Sequence, residues 1–181
     1  MPVTCVTLGA DNFKGCSSLT TVNISQVTTI GANAFNGCSS LEYCNGPNSN
    51  QGELYLPNLT GTLGDSSFKG CTKITSVTSL GGISSIETSA FENCTNLATI
   101  NIPSTVTSVG GNAFKNTAWY NTLYNNSSDG FIVIGETAYE YKGTIPASIT
   151  IPNNVKCIGD GLFESSRITD VTIPSGVLEI R

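Results

Sequence analysis

The sequence predicts an α/β repeat solenoid: a right-handed coil with short parallel strands on two walls, about one turn of helix per coil, and an inserted β-hairpin. Three observations carry that expectation. A phenylalanine recurs in nearly the same phrase, at Phe13, Phe35, Phe68, Phe91, Phe114 and Phe163, within DNFKGCSSL, NAFNGCSSL, SSFKGCTKI, SAFENCTNL, NAFKNTAWY and GLFESSRIT. Successive phenylalanines are 22, 33, 23, 23 and 49 residues apart, so the unit is 22 or 23 residues and the long intervals carry insertions. Two short apolar segments follow each phrase, as expected of an array whose units bury a core only by stacking.

Each element follows from residue type. Two residues before the phenylalanines stand Asp11, Asn33, Ser66, Ser89, Asn112 and Gly161, mostly residue types that cap helix N-termini. Two residues after come Gly15, Gly37, Gly70, Asn93, Asn116 and Ser165; Gly and Asn tolerate the left-handed backbone that ends a helix. The phenylalanines are therefore expected on single helical turns. The segments from Leu19 to Ile24 and from Leu97 to Ile102 match the L-x-x-L-x-L strand signature of leucine-rich repeats. Alternation points Leu19, Val22 and Ile24 inward and Thr21 and Asn23 outward. A second apolar piece, beginning at Val27, Ile83, Val106 and Val155, predicts a strand on the opposite wall. Stacking places Phe on Phe, and burying one Phe contributes about 1.5–3 kcal/mol, so folding alone explains the motif.

The unit as spelled here, A-F-x-G-C-S-x-L-x-x-V-x-I-P-x-x-V-x-x-I-G, resembles the BspA-type leucine-rich repeat family over nearly the whole chain. The irregular fifth unit also resembles that family, whose hairpin-bearing insertion it matches in N-T-A-W-Y from Asn116, D-G-F-I-V-I-G from Asp129 and Y-E-Y-K-G-T-I-P from Tyr139. The resemblance implies a surface or secreted binding protein associated with adhesion, and it brings no catalytic residues.

The chain reads as one repeat domain over 1–181, with insertions near 42–52 and 116–148. It begins and ends in mid-unit without polar caps, so it is expected to be a segment of a longer protein. Charged residues make up 12% of the chain, about half the usual share, and the net charge is −5 with eight scattered basic residues. That distribution argues against nucleic acid, which needs clustered Lys and Arg. No apolar run approaches the roughly 20 residues of a membrane span, and the N-terminus lacks the basic and apolar regions of a signal peptide.

Seven cysteines raise the question of disulfides. Cys16, Cys38, Cys71 and Cys94 each follow a repeat Phe by three residues. Equivalent positions in parallel coils lie about 4.8 Å apart and point the same way, whereas a disulfide wants converging Cβ atoms about 3.8 Å apart. A rung of free, core-facing thiols is expected, with Thr117 and Ser166 on the same rung in the last two units. Cys5 is placed in the core, and Cys44 and Cys157 are expected to be free. There is no histidine, so the commonest general base is missing, and no C-x-x-C pair suggests zinc. No enzyme activity, cofactor or metal is expected. Asp11, Glu87, Asp160 and Glu164 are read as solvating and capping groups.

What remains for function points outward. Thr21, Asn23, Glu53, Tyr55, Ser76, Thr78, Thr99, Asn101, Asp170 and Thr172 form an expected row on the first-strand wall, a shallow surface suited to proteins or glycans. The insertion gathers Trp119, Tyr120, Tyr124, Tyr139 and Tyr141, beside a hairpin of Phe131–Ile134 and Thr137–Tyr141 turning at Gly135-Glu136. Those aromatics serve either as interface anchors or as cover for the interrupted wall. Glu42 to Gly52 is expected to be an exposed loop. The leading expectation is an extracellular or cell-surface, adhesin-like binding module for a protein or glycan, with open solenoid ends capable of self-association. The alternative is a structural spacer, as part of a cell envelope or phage appendage, displaying another domain.

Overall fold

The computed structural model describes residues 6–44 and 50–181; Cys5 and the middle of the first insertion lie outside them. In chain order the elements are β1 (Thr7–Leu8), β2 (Thr29–Ile30), β3 (Glu53–Tyr55), β4 (Thr60–Leu63), β5 (Ser76–Ser79), β6 (Gly82–Ile86), β7 (Thr99–Ile100) and β8 (Ser108–Val109). Helix α1 (Ala118–Asn126) follows, then β9 (Gly130–Ile134), β10 (Thr137–Lys142), β11 (Ser148–Thr150), β12 (Cys157–Ile158), β13 (Asp170–Thr172) and β14 (Glu179–Ile180).

These elements form a solenoid with two walls. The first wall carries the Thr21–Tyr43 bridge, the parallel sheet β3-β5-β7 and, farther on, the parallel pair β11-β13. The second wall is the parallel sheet β1-β2-β4-β6-β8, continued by β10-β12-β14. The junction between β8 and β10 uses a side chain, because Thr137 Oγ1 accepts from the Val109 N–H at 2.9 Å and donates to the Thr107 carbonyl at 3.3 Å. β9 and β10 form the expected antiparallel hairpin.

Between the walls run the turns that carry the phenylalanines, and here the structure corrects the sequence reading. The segments are successions of tight turns rather than helical turns. Asp11, Asn33, Ser66, Ser89, Asn112 and Gly161, expected to cap helices, have φ between 53 and 62°. Asn, Asp and Gly favour that left-handed region, and it turns their N–H groups toward the next coil. Gly15, Gly37, Gly70, Asn93, Asn116 and Ser165 are also left-handed, as expected. Three backbone hydrogen bonds then join each neighbouring pair of turns from Phe13 to Phe114. Between the first two they run from Asp11, Phe13 and Gly15 N–H to the Ala32, Ala34 and Asn36 carbonyls, at 2.9, 2.8 and 2.7 Å. Between the last two they run from Ser89, Phe91 and Asn93 to Gly111, Ala113 and Lys115, at 3.0, 2.8 and 2.9 Å. Coils packed this closely leave no room for a side chain where the turn leaves the wall, since a Cβ on Gly110 would lie 2.4 Å from the Thr88 nitrogen.

The rings of Phe13, Phe35, Phe68, Phe91 and Phe114 stack face to face with centroids 5.2–5.8 Å apart. Phe35, Phe68, Phe91 and Phe114 are fully buried. The sixth repeat phenylalanine does not join them: Phe163 is half-buried and meets Phe131 edge-on at 6.4 Å. The hairpin rung stands between, and its chain runs straight on through Tyr139 to Lys142 where other coils make their turn.

The thiol rung is present in the free form. Cys38, Cys71 and Cys94 are buried, and each Sγ donates to the carbonyl of the preceding coil's phenylalanine: Phe13, Phe35 and Phe68, at 3.1, 3.2 and 3.0 Å. Cys16, expected to be buried, is exposed, because each thiol is covered by the turn before it and none precedes Phe13 among the described residues. Burial pushes the Cys44 and Cys94 thiols up to about 12 and holds Cys71 well above its ordinary value. Cys157 is buried and free, with Ser108 Oγ 3.6 Å away.

The first insertion is more than an exposed loop. Tyr43 bridges to Thr21, Cys44 is buried, and the Gly52 N–H donates to the Glu42 carbonyl at 2.7 Å before β3 begins. The first wall therefore runs from Thr21 through Tyr43 and Glu53 to Ser76, while the second wall pairs β2 directly with β4. One additional rung stands on one wall.

Candidate functional site: a cleft at a missing turn

A helix expected nowhere in the sequence reading organises a concave region. Thr117 takes the thiol rung in its coil, but its hydroxyl donates to the carbonyl of its own Phe114 at 2.8 Å and accepts from the Tyr120 N–H at 3.0 Å. It is the N-cap of α1. The Trp119 N–H donates to the Leu97 carbonyl at 2.7 Å, so α1 takes the place of the next strand on the first wall. At the other end, Lys142 Nζ donates to the carbonyls of Tyr124 and Ser127 at 2.7 and 2.6 Å and lies 4.9 Å from the centre of the Tyr124 ring. A cation on the last carbonyls opposes the negative end of the helix dipole.

Of the aromatics singled out from sequence, Trp119, Tyr120 and Tyr139 pack inward. Trp119 meets Phe114 edge-on at 4.9 Å and ends the phenylalanine stack. The Tyr139 ring lies 5.3 Å from that of Tyr120, and its hydroxyl oxygen accepts from the Phe114 N–H at 3.2 Å. That phenol replaces the carbonyl a regular neighbouring turn would supply. The Tyr120 hydroxyl donates to Glu140, and burial followed by this carboxylate pushes the phenol above its ordinary value. Burial raises Tyr139 to about 12. Both phenols hold their protons at neutral pH. Tyr124 and Tyr141 remain half-buried.

Above these rings opens a cleft of about 680 Å³, inside the 300–1,000 Å³ range of ligand sites. One lip is the turn Asn112–Asn116, the other is the turn Gly161–Glu164, and Tyr139, Glu140 and Tyr120 form the floor. Asp160 closes one end, its Oδ2 accepting from the Gly111 N–H at 2.5 Å and from Thr88 Oγ1 at 3.4 Å. Asn121 and Tyr124 of α1 stand at the other. Asp160, Glu140 and Glu164 outweigh Lys115, so the lining is net acidic.

The row predicted on the first wall comes in three pieces. Thr21 and Asn23 are exposed, and Asn23 Oδ1 accepts from Ser25. Glu53, Ser76 and Thr99 stand in register across β3, β5 and β7, with Thr78 donating to Glu53 at 2.6 Å and Asn101 and Tyr55 exposed beside them. Beyond α1, Asp170 accepts from Ser148 at 3.1 Å and Thr172 is exposed on β13. Sequence reasoning missed the cleft's polar groups, Asn112, Asn116, Glu140 and Asp160. The signal was the 49-residue interval between Phe114 and Phe163, long enough for a coil with no phenylalanine turn. Among the described residues no three His, Cys, Asp or Glu side chains are placed to hold a metal ion, and no helix is long and apolar enough to cross a membrane.

The sequence matches the model of the BspA type leucine rich repeat region in six copies, over residues 1–55 and 61–181. The chain belongs to this family. Among solved structures it is similar to a leucine rich cell surface protein from Faecalibacterium prausnitzii A2-165, with a TM-score of 0.54 and 24% identity, covering 99% of this chain and 48% of that protein. It also matches a leucine-rich repeat protein from Bacteroides ovatus ATCC 8483 at 20% identity and a TM-score of 0.39, over 99% of this chain and 61% of the other. The chain thus spans about half the length of the first protein and less than two thirds of the second. No curated protein matches the sequence. The BspA-type repeat defines the fold, and the cleft lies where the chain departs from the regular coil.

Proposed function

We propose that this BspA-type protein is a non-catalytic, adhesin-like binding module displayed at a cell surface, which recognises a protein or glycan partner through the cleft at the missing turn. The observation that carries the reading is the cleft itself. The repeat's phenylalanines, buried thiols and turn amides are used in packing from Phe13 to Phe114, and the interruption after Phe114 opens a polar, tyrosine-floored recess of ligand-site size. The F. prausnitzii relative, described as a cell surface protein, supports surface display, and a chain without histidine supports a binding role over catalysis.

The test is a binding screen of the chain against immobilised extracellular matrix proteins and a glycan array. Each hit is then remeasured with Tyr124→Ala and Glu164→Gln in the cleft and with Tyr55→Lys and Asn101→Lys on the first wall. Loss of affinity in the cleft variants alone is the expected result. Loss in the wall variants alone moves the site to β3-β5-β7, and absence of any specific hit favours the spacer reading.

A further inference from the structure

The two lips of the cleft are not chemically alike, and their difference repeats a pattern seen between every regular pair of turns. From Phe13 to Phe114, each turn presents N–H groups at its two left-handed residues and its phenylalanine to the following turn, which answers with carbonyls. Asn112, Phe114 and Asn116 form the last donor edge of that series. Tyr139 satisfies Phe114, but among the described residues the Asn112 and Asn116 N–H groups have no acceptor. Across the cleft, the Leu162 and Glu164 carbonyls occupy the positions that receive such bonds elsewhere, as Ala113 and Lys115 do from Phe91 and Asn93, and among the described residues they have no donor. One lip donates and the other accepts, and the coil between them, that of β10, runs straight instead of turning.

We infer that the cleft between Asn112–Asn116 and Gly161–Glu164 captures a peptide segment of a protein partner, whose backbone bonds to both lips as a turn of the solenoid bonds to its neighbours. This deepens the binding reading above and rests on it. A peptide has the alternating carbonyls and N–H groups that both lips lack, and backbone pairing with side-chain selection is the mode by which extended peptides join exposed sheet edges. A sugar would need exposed ring faces, but Tyr120 and Tyr139 pack against each other and turn their hydroxyls to Glu140 and the Phe114 N–H. Side-chain choice follows from charge: the acidic lining favours a peptide carrying Lys or Arg, with Glu164 at the rim as its partner.

Linear peptides selected from a phage-displayed random library on the immobilised chain serve as the probe. The selected sequences should be enriched in Lys and Arg. Amide exchange followed by NMR should show Asn112 and Asn116 slowed about tenfold or more by saturating peptide, with amides of β5 unchanged. Asn121→Trp, which fills the mouth from exposed α1, and Glu164→Lys at the rim should each weaken the selected peptides about tenfold or more at unchanged melting temperature. Peptides that bind without slowing Asn112 and Asn116 overturn the inference, as does retention of affinity by both variants. A selection that returns no binder while a glycan from the array protects the cleft overturns it too, yet leaves the binding role intact. Failure of peptides, glycans and matrix proteins alike removes both.

Discussion

The stretch from Phe13 to Phe114 and the stretch from Thr117 to Ser166 are spelled with the same vocabulary and end in different structures. In the first, each turn's amides bond to carbonyls of the next coil at 2.7–3.0 Å, the rings stack 5.2–5.8 Å apart, and the buried thiols donate to the phenylalanine carbonyl of the coil before. In the second, every one of those parts is diverted. Thr117 turns its hydroxyl to its own chain and starts a helix, Trp119 meets the last ring edge-on, and Tyr139 offers a phenol in place of a carbonyl. Regularity consumes polar groups, and interruption releases them to a surface.

The largest measurable consequence lies in the rings. Phe91→Ala, inside the stack and fully buried, is expected to cost about 3–5 kcal/mol, whereas Phe163→Ala, half-buried beyond the break, should cost about 1–2 kcal/mol. Urea denaturation of both variants checks this, and equal losses would mean that the break is energetically invisible.

The thiols come next. Cys44 and Cys94 are buried and held at about 12 against an ordinary value of 9.0. Protonated in the fold, they contribute stability that is fully present below about pH 9 and is lost as pH rises toward 12, on the order of a few kcal/mol once both ionise. Urea midpoints measured upward from pH 8 should fall, and Cys94→Ala should flatten the fall. In the same protein at neutral pH, alkylation should reach Cys16 at once and Cys38, Cys71 and Cys94 only after unfolding. Native labelling of Cys71 would contradict the sealed rung.

On the interrupted side, Tyr139→Phe removes the acceptor of the Phe114 N–H without altering the ring. A buried donor left unpaired costs about 1–3 kcal/mol, and hydrogen exchange at Phe114 should accelerate more than at Phe91, whose N–H bonds to a neighbouring backbone carbonyl. The smallest effect is expected from Thr117→Ala, which strips the N-cap of α1 for about 0.5–2 kcal/mol. Circular dichroism should lose helical signal while the stacked coils remain, and a loss of strand signal as well would show that α1 supports more than its own wall.

Much of this fold is legible in the residues. The recurrence of Phe13 through Phe114 marks the coils, the two apolar segments mark the walls, and the Gly135-Glu136 turn marks the hairpin. The helical turns were misread because Asn and Asp, at Asn33 and Asp11, favour both a helix cap and a left-handed residue, while Ser, at Ser66, signals the cap alone; the left-handed form wins because the neighbouring coil accepts their N–H groups. The helix α1 was hidden in a short stretch of Asn and Tyr that gains its cap from Thr117 and its far-end cation from Lys142, a residue 25 positions away from the cap in sequence. The cleft was illegible for the same reason: it is made by a turn that does not occur, and Asn112 and Asn116 look like their counterparts in every other coil.

The additional rung at Glu53–Tyr55 has a consequence for shape. A strand widens its wall by about 4.8 Å, and facing walls stand about 10 Å apart, so a rung present on one wall alone opens a wedge of about 25°. The axis of the coil must therefore bend at this point, with the wall of Tyr55 and Thr78 on the convex side. Side chains there fan apart, as books do on an overbent shelf, and a flat partner would touch them along a narrow crest.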